Sequence, residues 1–478
     1  MAEAILPGTY VTVRDEGLIS VGGVASGNIG IVGTAEKGDV NKVTLLSSFT
    51  EAREVFGESD AWEDGSQNQL TLIRALELIY NNGGQNVYAV RTAVKTQVSR
   101  AFYELRNGND NIVLLRLEAK GTPGSWRDAL KILITSDPDA TKKQIELSFS
   151  NIQETYTVEA GKLADLEKAI NDRSALVTAA IPVTARTGNT PSGLPADTSG
   201  KCELFVPGSD GAAAGKLEYE ESLRLLENEA VNLVVLAGQS AGGMDSWAET
   251  VLEGHLKTTA QIKRERIGII GSRFGSAGDS LEVIQDFTLN NHRLIYTAPG
   301  IEVPTRAGKT DRLPGAYLAA AIAGLIASLP VQSSPTNKVL TLKGLTTIFN
   351  AAQLEKLVDA RVLAVAKQDG FRVVKGITTN DGAWQQITTR RIVDYATYGT
   401  RFACNPYIGK LNNERVRGAM KATLDAFLTR MVNDEALGGY TLEVSATRDQ
   451  EKAGETIVTM TLQPTFSIDF IKVTMYLG

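Results

Sequence analysis

Hydrophobic residues follow two different spacings in the first part of the chain. Residues 28–33 (Asn-Ile-Gly-Ile-Val-Gly) form a short apolar run typical of a buried strand. Residues 67–80 carry their apolar side chains near one face of a helix, which Asn81-Asn82-Gly83-Gly84 then ends. The next apolar run, at 86–91, reads as a second strand. This order predicts a β-α-β opening.

The same alternation returns after residue 217. Predicted helices alternate with predicted strands in the order 218–228, 230–237, 244–263, 266–271, 279–290 and 293–298. This periodicity favours an α/β layer with helices on the faces of a sheet. Further on, residues 315–329 form a small-residue helix suited to close packing, and residues 412–433 form a long helix of mixed charge.

Residues 95–205 have a different pattern. Short strand candidates at 112–117, 130–134, 144–149 and 154–158 are separated by Gly, Pro and Asp turns, and one helix is predicted at 163–170. We therefore expect a mostly β insertion on the outside of the main domain.

Both ends of the chain carry β-type segments. Pro7-Gly8 breaks any helix within residues 1–20, which resemble an extended arm. Near the other end, strands are predicted at 441–447, 456–462 and 465–477. In the last of these the apolar positions are even up to Phe470 and odd from Ile471 onward. Such a phase change indicates a bulge, or a strand that leaves its own domain to pair elsewhere.

The predicted fold class is therefore mixed α/β, with a core domain built from N-terminal and C-terminal parts of the chain. The predicted boundaries are an N-terminal arm at 1–20, core segments at 21–95 and 206–463, the mostly β outer insertion at 96–205, and a C-terminal arm or strand at 464–478.

Composition limits the classes of function. The 478 residues carry a net charge of −6, which argues against a dedicated nucleic-acid binder. Two cysteines and two histidines exclude a disulfide scaffold and leave little material for a metal site. The first residues lack the pattern of a secretory signal, and the apolar run at 315–329 is too short to cross a bilayer. We expect no direct nucleic-acid contact, no membrane insertion, no metal and no cofactor.

One motif points to catalysis. Gly238-Gln239-Ser240-Ala241-Gly242 fits G-x-S-x-G between a predicted strand and helix, and Asp279 and His292 follow in the order of an α/β-hydrolase triad. The 52 residues from Ser240 to His292 leave little room for the intervening βα units. Residues 307–310 end like a phosphate loop, but Val303 stands where that motif requires glycine. No catalytic constellation is predicted, and an esterase using Ser240 stays as an alternative.

The terminal β segments indicate a structural role instead. A strand without a neighbour needs partners for its amides and carbonyls, and an edge strand of another subunit can supply them. Two such ends per subunit would link copies into a mesh. A non-contractile capsid or surface-layer protein is the second alternative.

Several motifs resemble those of contractile tail sheath proteins. Pro7-Gly8-Thr9-Tyr10-Val11 is similar to the P-G-V-Y-V opening of that family, and residues 29–38 resemble its next apolar strand. The most specific element is 76–91, where Tyr80–Gly84 and Val87–Arg91 resemble F-x-N-G-G followed by Y-V-V-R-V. Residues 313–320 and 412–416 resemble two later helix starts. The resemblance covers the first 95 residues and roughly 290–478.

The resemblance implies a mechanism. Sheath subunits stack as hexameric rings around a tail tube and contract from a metastable extended state, without a nucleotide, to drive the tube through an envelope. It implies partners in the tube, baseplate and tail terminator proteins, a place in the virion and assembly in the host cytoplasm. The tail of a phage, a tailocin and an injection system all remain open.

It also implies site residues, none of them catalytic. The hypothesis places the linking arms at 1–20 and about 464–478, with strand anchors at Tyr10, Val11, Val13, Phe466, Ile468, Phe470, Val473 and Met475. The helix that begins near Asn412 is the predicted tube-facing surface, through Glu414, Arg415, Arg417 and Lys421.

Overall fold

The computed structural model describes residues 26–59, 70–107, 112–136, 141–182, 194–242, 246–274, 279–304 and 310–476. They form two compact units. The larger unit comprises residues 27–328 and 335–381, and the C-terminal unit includes 329–334 and the chain from 382 onward.

The described helices are α1 (Phe49–Phe56), α2 (Leu72–Asn81), α3 (Leu163–Arg173), α4 (Lys216–Leu226), α5 (Ala248–Gln261), α6 (Leu281–Gln285), α7 (Gly315–Ser328), α8 (Ala351–Asp359), α9 (Ile387–Cys404), α10 (Glu414–Asn433) and α11 (Arg448–Ala453).

The strands up to the end of the insertion are β1 (Ile29–Gly33), β2 (Val43–Leu46), β3 (Val87–Arg91), β4 (Val98–Ser99), β5 (Phe102–Arg106), β6 (Val113–Ala119), β7 (Lys131–Ser136), β8 (Lys142–Phe149), β9 (Ile152–Glu159), β10 (Val177–Ala180), β11 (Glu203–Leu204) and β12 (Ser209–Asp210). The later strands are β13 (Leu233–Ala241), β14 (Ile267–Ser272), β15 (Leu294–Ala298), β16 (Ile301–Pro304), β17 (Thr310–Leu313), β18 (Val339–Leu340), β19 (Gly344–Leu345), β20 (Leu363–Lys367), β21 (Phe371–Val373), β22 (Leu437–Ser445) and β23 (Ile457–Pro464).

A nine-stranded sheet organises the larger unit, in the order β18-β21-β20-β15-β14-β13-β1-β3-β2. Its central strands run parallel, and β1 lies between β3 and β13 with Ile31 opposite Ala89 and Val235. β1 and β14 are buried along their whole length, as expected of a parallel strand covered on both faces. The predicted α/β layer is therefore confirmed.

The small-residue helix α7 packs directly on this sheet. A Cβ atom added to Gly271 of β14 would lie 1.8 Å from the carbonyl oxygen of Gly315, the first residue of α7. Only glycine at 271 lets the helix backbone approach the strand this closely. The alanine-rich pattern at 315–328 thus serves close packing inside the larger unit, where most of its side chains are buried.

The predicted β insertion forms two antiparallel sheets, β10-β6-β5 and β11-β7-β8-β9, around an apolar cluster of its own that includes α3. The chain enters and leaves this region through β4 and β12, which pair with each other. Beside that pair, the fully buried Arg91 donates hydrogen bonds to the carbonyl oxygens of Gly38, Pro123 and Asp210. The predicted boundaries of the outer domain stay a prediction.

The C-terminal unit packs α9 against α10 and places the hairpin β22-β23 beside them. Its core includes Ile392 of α9 and Phe427, Leu428 and Met431 of α10. A Cβ atom at Gly399 would lie 1.9 Å from the ring of Phe427, so the absence of a side chain there lets the two helices approach.

Two predicted elements differ from the structure. The helix expected over 279–290 extends only from Leu281 to Gln285, because Phe287 leaves the helix and stacks on Tyr296 with ring centroids 4.2 Å apart. The strand expected over 465–477 is wrong for the isolated chain: residues 465–476 have no regular secondary structure. No other strand of the described C-terminal unit pairs with them.

Candidate assembly surfaces

The hairpin β22-β23 is a two-stranded sheet in the described structure. Its strands pair from Ser445 opposite Ile457 to Leu437 opposite Pro464, so each strand has one long outer edge without a neighbouring strand. A hairpin of this length normally needs a third strand or a packed face for stability, and open edges are templates for strand addition. Helix α10 covers one face, where the Tyr440 hydroxyl donates a hydrogen bond to the Asp425 carboxylate at 2.7 Å.

The C-terminal segment follows the hairpin directly and presents its apolar side chains to solvent. Phe466 and Ile468 are 69% and 79% exposed, and Phe470, Val473 and Met475 are exposed to the same degree or more. A run of large apolar side chains that the described residues leave uncovered indicates an interaction site. The side chains of these five predicted anchors are thus exposed, whereas Tyr10, Val11 and Val13 lie outside the described residues.

The predicted tube-facing helix corresponds to α10. Asn413 caps it, with its side-chain oxygen accepting a hydrogen bond from the Val416 amide. Glu414, Arg415 and Lys421 are exposed on its surface. These three residues can meet a partner.

Arg417, the fourth predicted residue of this surface, is engaged within the unit. Its guanidinium lies 2.9 Å from a carboxylate oxygen of Glu451 and donates a second bond to the Asn412 side chain. Hydrogen bonds from Arg448 and Arg417 lower the pKa of Glu451. Arg417 therefore joins α10 to α11.

A polar cluster that the sequence did not reveal holds the start of the C-terminal segment. The Ser467 amide donates to the Gln386 side-chain oxygen, and the Gln386 amide group donates to the Asp469 carboxylate. Gln386 is the residue before α9 and lies 83 positions from Asp469 in sequence. Local patterns carry no signal for such a distant pair; only the polar residues alternating with apolar ones at 465–470 could have suggested a second face.

The residues considered for esterase chemistry do not form an elbow. Ser240 lies within β13 and pairs with Gly271 of β14, rather than on a turn leading into a helix. Asp279 accepts hydrogen bonds from the Gly300 amide and the Thr346 hydroxyl, and burial raises its pKa. These contacts give Asp279 a structural role in its loop.

His255 is buried against an arginine. Its Nε2 lies 2.9 Å from Nη1 of Arg266, which is itself fully buried and donates to the carbonyl oxygens of Leu226, Glu227 and Glu229. Burial, and next the positive charge of Arg266, lower the pKa of His255 to about 3. The imidazole is therefore neutral and acts as a hydrogen-bond acceptor for the arginine.

The described part of the chain brings no three His, Cys, Asp or Glu side chains together as a metal site. Across the described ranges every helix is too short or too polar to span a bilayer. Residues 305–309, most of the phosphate-loop-like segment, lie outside the described ranges.

Comparison with known proteins gives a consistent result. Residues 379–478 match the model of the phage tail sheath C-terminal domain family. The tail sheath protein of Bacillus phage SP01 is 26% identical over 196 residues, which are 39% of this chain and 34% of that protein. The match thus spans about a third of that relative's own length.

Solved sheath structures share the fold across nearly the whole chain. The sheath tail protein of Desulfitobacterium hafniense is 14% identical with a TM-score of 0.63, covering 96% of this chain and 100% of that one. The contracted helical sheath of the anti-feeding prophage is 16% identical, with a TM-score of 0.55 and 99% of both chains covered. The contracted sheath of the extracellular contractile injection system PVC is 13% identical, with a TM-score of 0.55, covering 100% and 98%. The resemblance to contractile tail sheath proteins and the mixed α/β fold class are confirmed.

Proposed function

We propose that this chain is a structural subunit of a contractile sheath of the phage-tail or injection-system type. Its C-terminal sequence matches a tail sheath domain and its fold is that of sheath proteins. The observation that carries the proposal is the C-terminal unit, where a hairpin with open edges continues into a segment with outward apolar side chains. The open edges and the exposed apolar side chains can both be covered by further copies of the chain.

In this proposal the arms at 1–20 and about 464–478 add strands to adjacent copies. The copies form hexameric rings that stack around a tail tube, between a baseplate and a terminator protein, in a virion assembled in the host cytoplasm. Strand addition satisfies the backbone groups of both the arm and the hairpin edge, so linked copies can rotate without separating. The proposal assigns the chain no catalytic residue and no cofactor.

The energy for contraction would come from surface burial. At roughly 25 cal/mol per Å² of apolar area, an additional ~200 Å² buried per subunit corresponds to about 5 kcal/mol. Because every copy contributes, a long sheath stores enough free energy in its extended lattice to drive a tube without a nucleotide.

Deletion of residues 1–14 tests the arm assignment. We expect the shortened chain to stay folded and monomeric, because strand addition between copies then lacks one of its two ribbons. Negative-stain electron microscopy of the concentrated full-length protein should show cylinders, and the shortened protein should show none. Regular tubes from the shortened chain would contradict the assignment, and flat or closed assemblies from the full-length chain would favour a capsid or surface-layer protein.

Charge reversal on α10 tests the tube-facing surface. We expect Arg415→Glu with Lys421→Glu to weaken binding to the tube protein at least tenfold, because close charge pairs across an interface contribute about 1.5 kcal/mol or more. Sedimentation with purified tubes measures the binding. Arg430→Glu, at the other end of the same helix, is the matched control and should bind like the wild type. If the Arg415→Glu, Lys421→Glu variant and the Arg430→Glu variant bind the tube equally well, the tube contact does not involve this end of α10.

A further inference from the structure

Three polar residues attach the start of the C-terminal segment to its own unit. The Thr465 amide donates to the Ala436 carbonyl oxygen at 3.1 Å, and its hydroxyl donates to the Glu435 carbonyl oxygen at 2.7 Å. Two residues on, the Ser467 amide donates to Oε1 of Gln386 at 3.4 Å. Asp469 then accepts from Nε2 of Gln386 at 3.3 Å and from the Ser467 hydroxyl at 3.1 Å. We call the contacts among Gln386, Ser467 and Asp469 the polar latch.

In residues 465–470 the polar side chains face their own unit and the apolar side chains face solvent. Thr465, Ser467 and Asp469 are half-buried against the unit, while the apolar side chains between them are exposed. A segment folding onto its own core would place its apolar side inward. The polar-inward arrangement therefore keeps an apolar surface, carried mainly by Phe466 and Ile468, exposed on the outside of the unit.

The segment changes character after residue 470. All described residues from Ile471 to Tyr476 are exposed, and the structure shows no hydrogen bond or ion pair for any of them. The apolar phase changes at the same point, from even positions to Ile471, Val473 and Met475. In a strand without a bulge, each step of one residue turns the side chains to the opposite face, so the two parts would present their apolar side chains to opposite faces.

We propose that the C-terminal segment works in two parts. Residues 465–470 stay on their own subunit, held by the polar latch, and only the residues from 471 onward enter a second copy of this chain. The open outer edge of a β22-β23 hairpin is the surface that fits them, since it offers unpaired backbone groups to an extended segment. This inference rests on the proposed function and divides the previously predicted arm of 464–478.

The division has a geometric consequence. An extended chain gains at most about 3.3–3.6 Å per residue. Holding the six residues 465–470 on their own subunit therefore shortens the reach of the segment by about 20 Å, so the accepting edge of the second copy must lie closer to Phe470 than it would if the whole segment left. A fixed anchor also shortens the flexible tether, which raises the effective concentration of the exchanging residues at the neighbour.

Cross-linking the latch tests whether 465–470 leave their subunit. The chain would carry Gln386→Cys and Asp469→Cys in a Cys202→Ser, Cys404→Ser background, and a short bismaleimide would join the new thiols in the monomer. We expect the joined chain to form tubes at least as well as the unjoined chain, since the cross-link replaces the lost latch and leaves the residues from 471 onward able to exchange. Tubes from the unjoined chain alone would overturn the inference.

An exchange of charges tests the latch without a cross-link. Gln386→Glu faces two carboxylates toward each other and should raise the protein concentration needed for tubes about tenfold, equivalent to about 1.4 kcal/mol. Adding Asp469→Asn restores a donor opposite Glu and should return that concentration to the wild-type value. Wild-type assembly by Gln386→Glu, or no recovery in the double variant, would contradict the latch. If neither the joined nor the unjoined cysteine chain assembles, the comparison of Gln386→Glu with the double variant tests the latch instead.

Assembly of the wild-type protein distinguishes a failure of the division at residue 470 from a failure of the proposed function. Tubes from the wild type with a blocked cross-linked chain would overturn only the division at residue 470. Absence of tubes from the wild type, and from the wild type with added tube protein, would overturn the proposed function and this inference together.

Discussion

A chain truncated after Pro464 is expected to fold like the full-length protein and to form no tubes. The removed residues lie mostly outside any core, and Phe466 through Tyr476 expose nearly all their large apolar side chains. The truncation also removes the hydrogen bonds of the half-buried residues Thr465, Ser467 and Asp469, so the free energy of unfolding falls by about 1–3 kcal/mol. Assembly loses far more, because burial of each large apolar side chain in a neighbour contributes about 1.5–3 kcal/mol. Three such side chains already correspond to more than a thousandfold in association.

Two measurements on the truncated chain separate folding from assembly. Thermal unfolding should give a midpoint within a few degrees of the full-length value, and electron microscopy of concentrated protein should show monomers only. A chain that lacks only Gly478 is the matched control, because it keeps every apolar residue of the segment and should form tubes. If the truncated chain still assembles, the C-terminal segment does not link the subunits. If the thermal midpoint falls strongly, the segment contributes to the core of its own unit.

The second large effect is a loss of stability in acid through His255. The pKa of this buried imidazole is lowered to about 3, from about 6.5 in the unfolded chain. Below pH 6.5 the unfolded chain binds a proton that the folded chain does not, so the free energy of unfolding falls as pH decreases toward 3. With 1.36 kcal/mol per pH unit, the full loss over this range of about 3.5 units is about 5 kcal/mol. Above pH 7 His255 causes no pH dependence.

The comparison that isolates this effect is His255→Gln, which keeps a hydrogen-bond acceptor for Arg266 and cannot titrate. Denaturant unfolding of both proteins from pH 8 to pH 4 gives two profiles that share the contributions of all the other titrating groups. Their difference should grow steadily below pH 6.5, with the wild type losing more stability. Parallel profiles would mean that His255 is protonated in the folded protein.

Periodic patterns predicted the parallel sheet, because burial on both faces of β1 and β13 produces continuous apolar runs that are visible locally. The phase change after Phe470 was likewise a local signal for the C-terminal segment. Local patterns could not predict the polar latch, the Arg417–Glu451 ion pair or the Arg266–His255 contact, since each joins residues whose proximity depends on packing. Phe287 shows the same limit: its stacking on Tyr296 ended a helix that its own sequence favoured.

The pairing of β4 with β12 beside the buried Arg91 has a consequence for how such proteins diversify. The polypeptide departs from and rejoins the large sheet at neighbouring points, and everything between them has an independent core. The region between β4 and β12 can thus be replaced by another one, in evolution or by engineering, without a change in the strand order of the nine-stranded sheet. The size and surface of this insertion can therefore change while the large sheet stays the same.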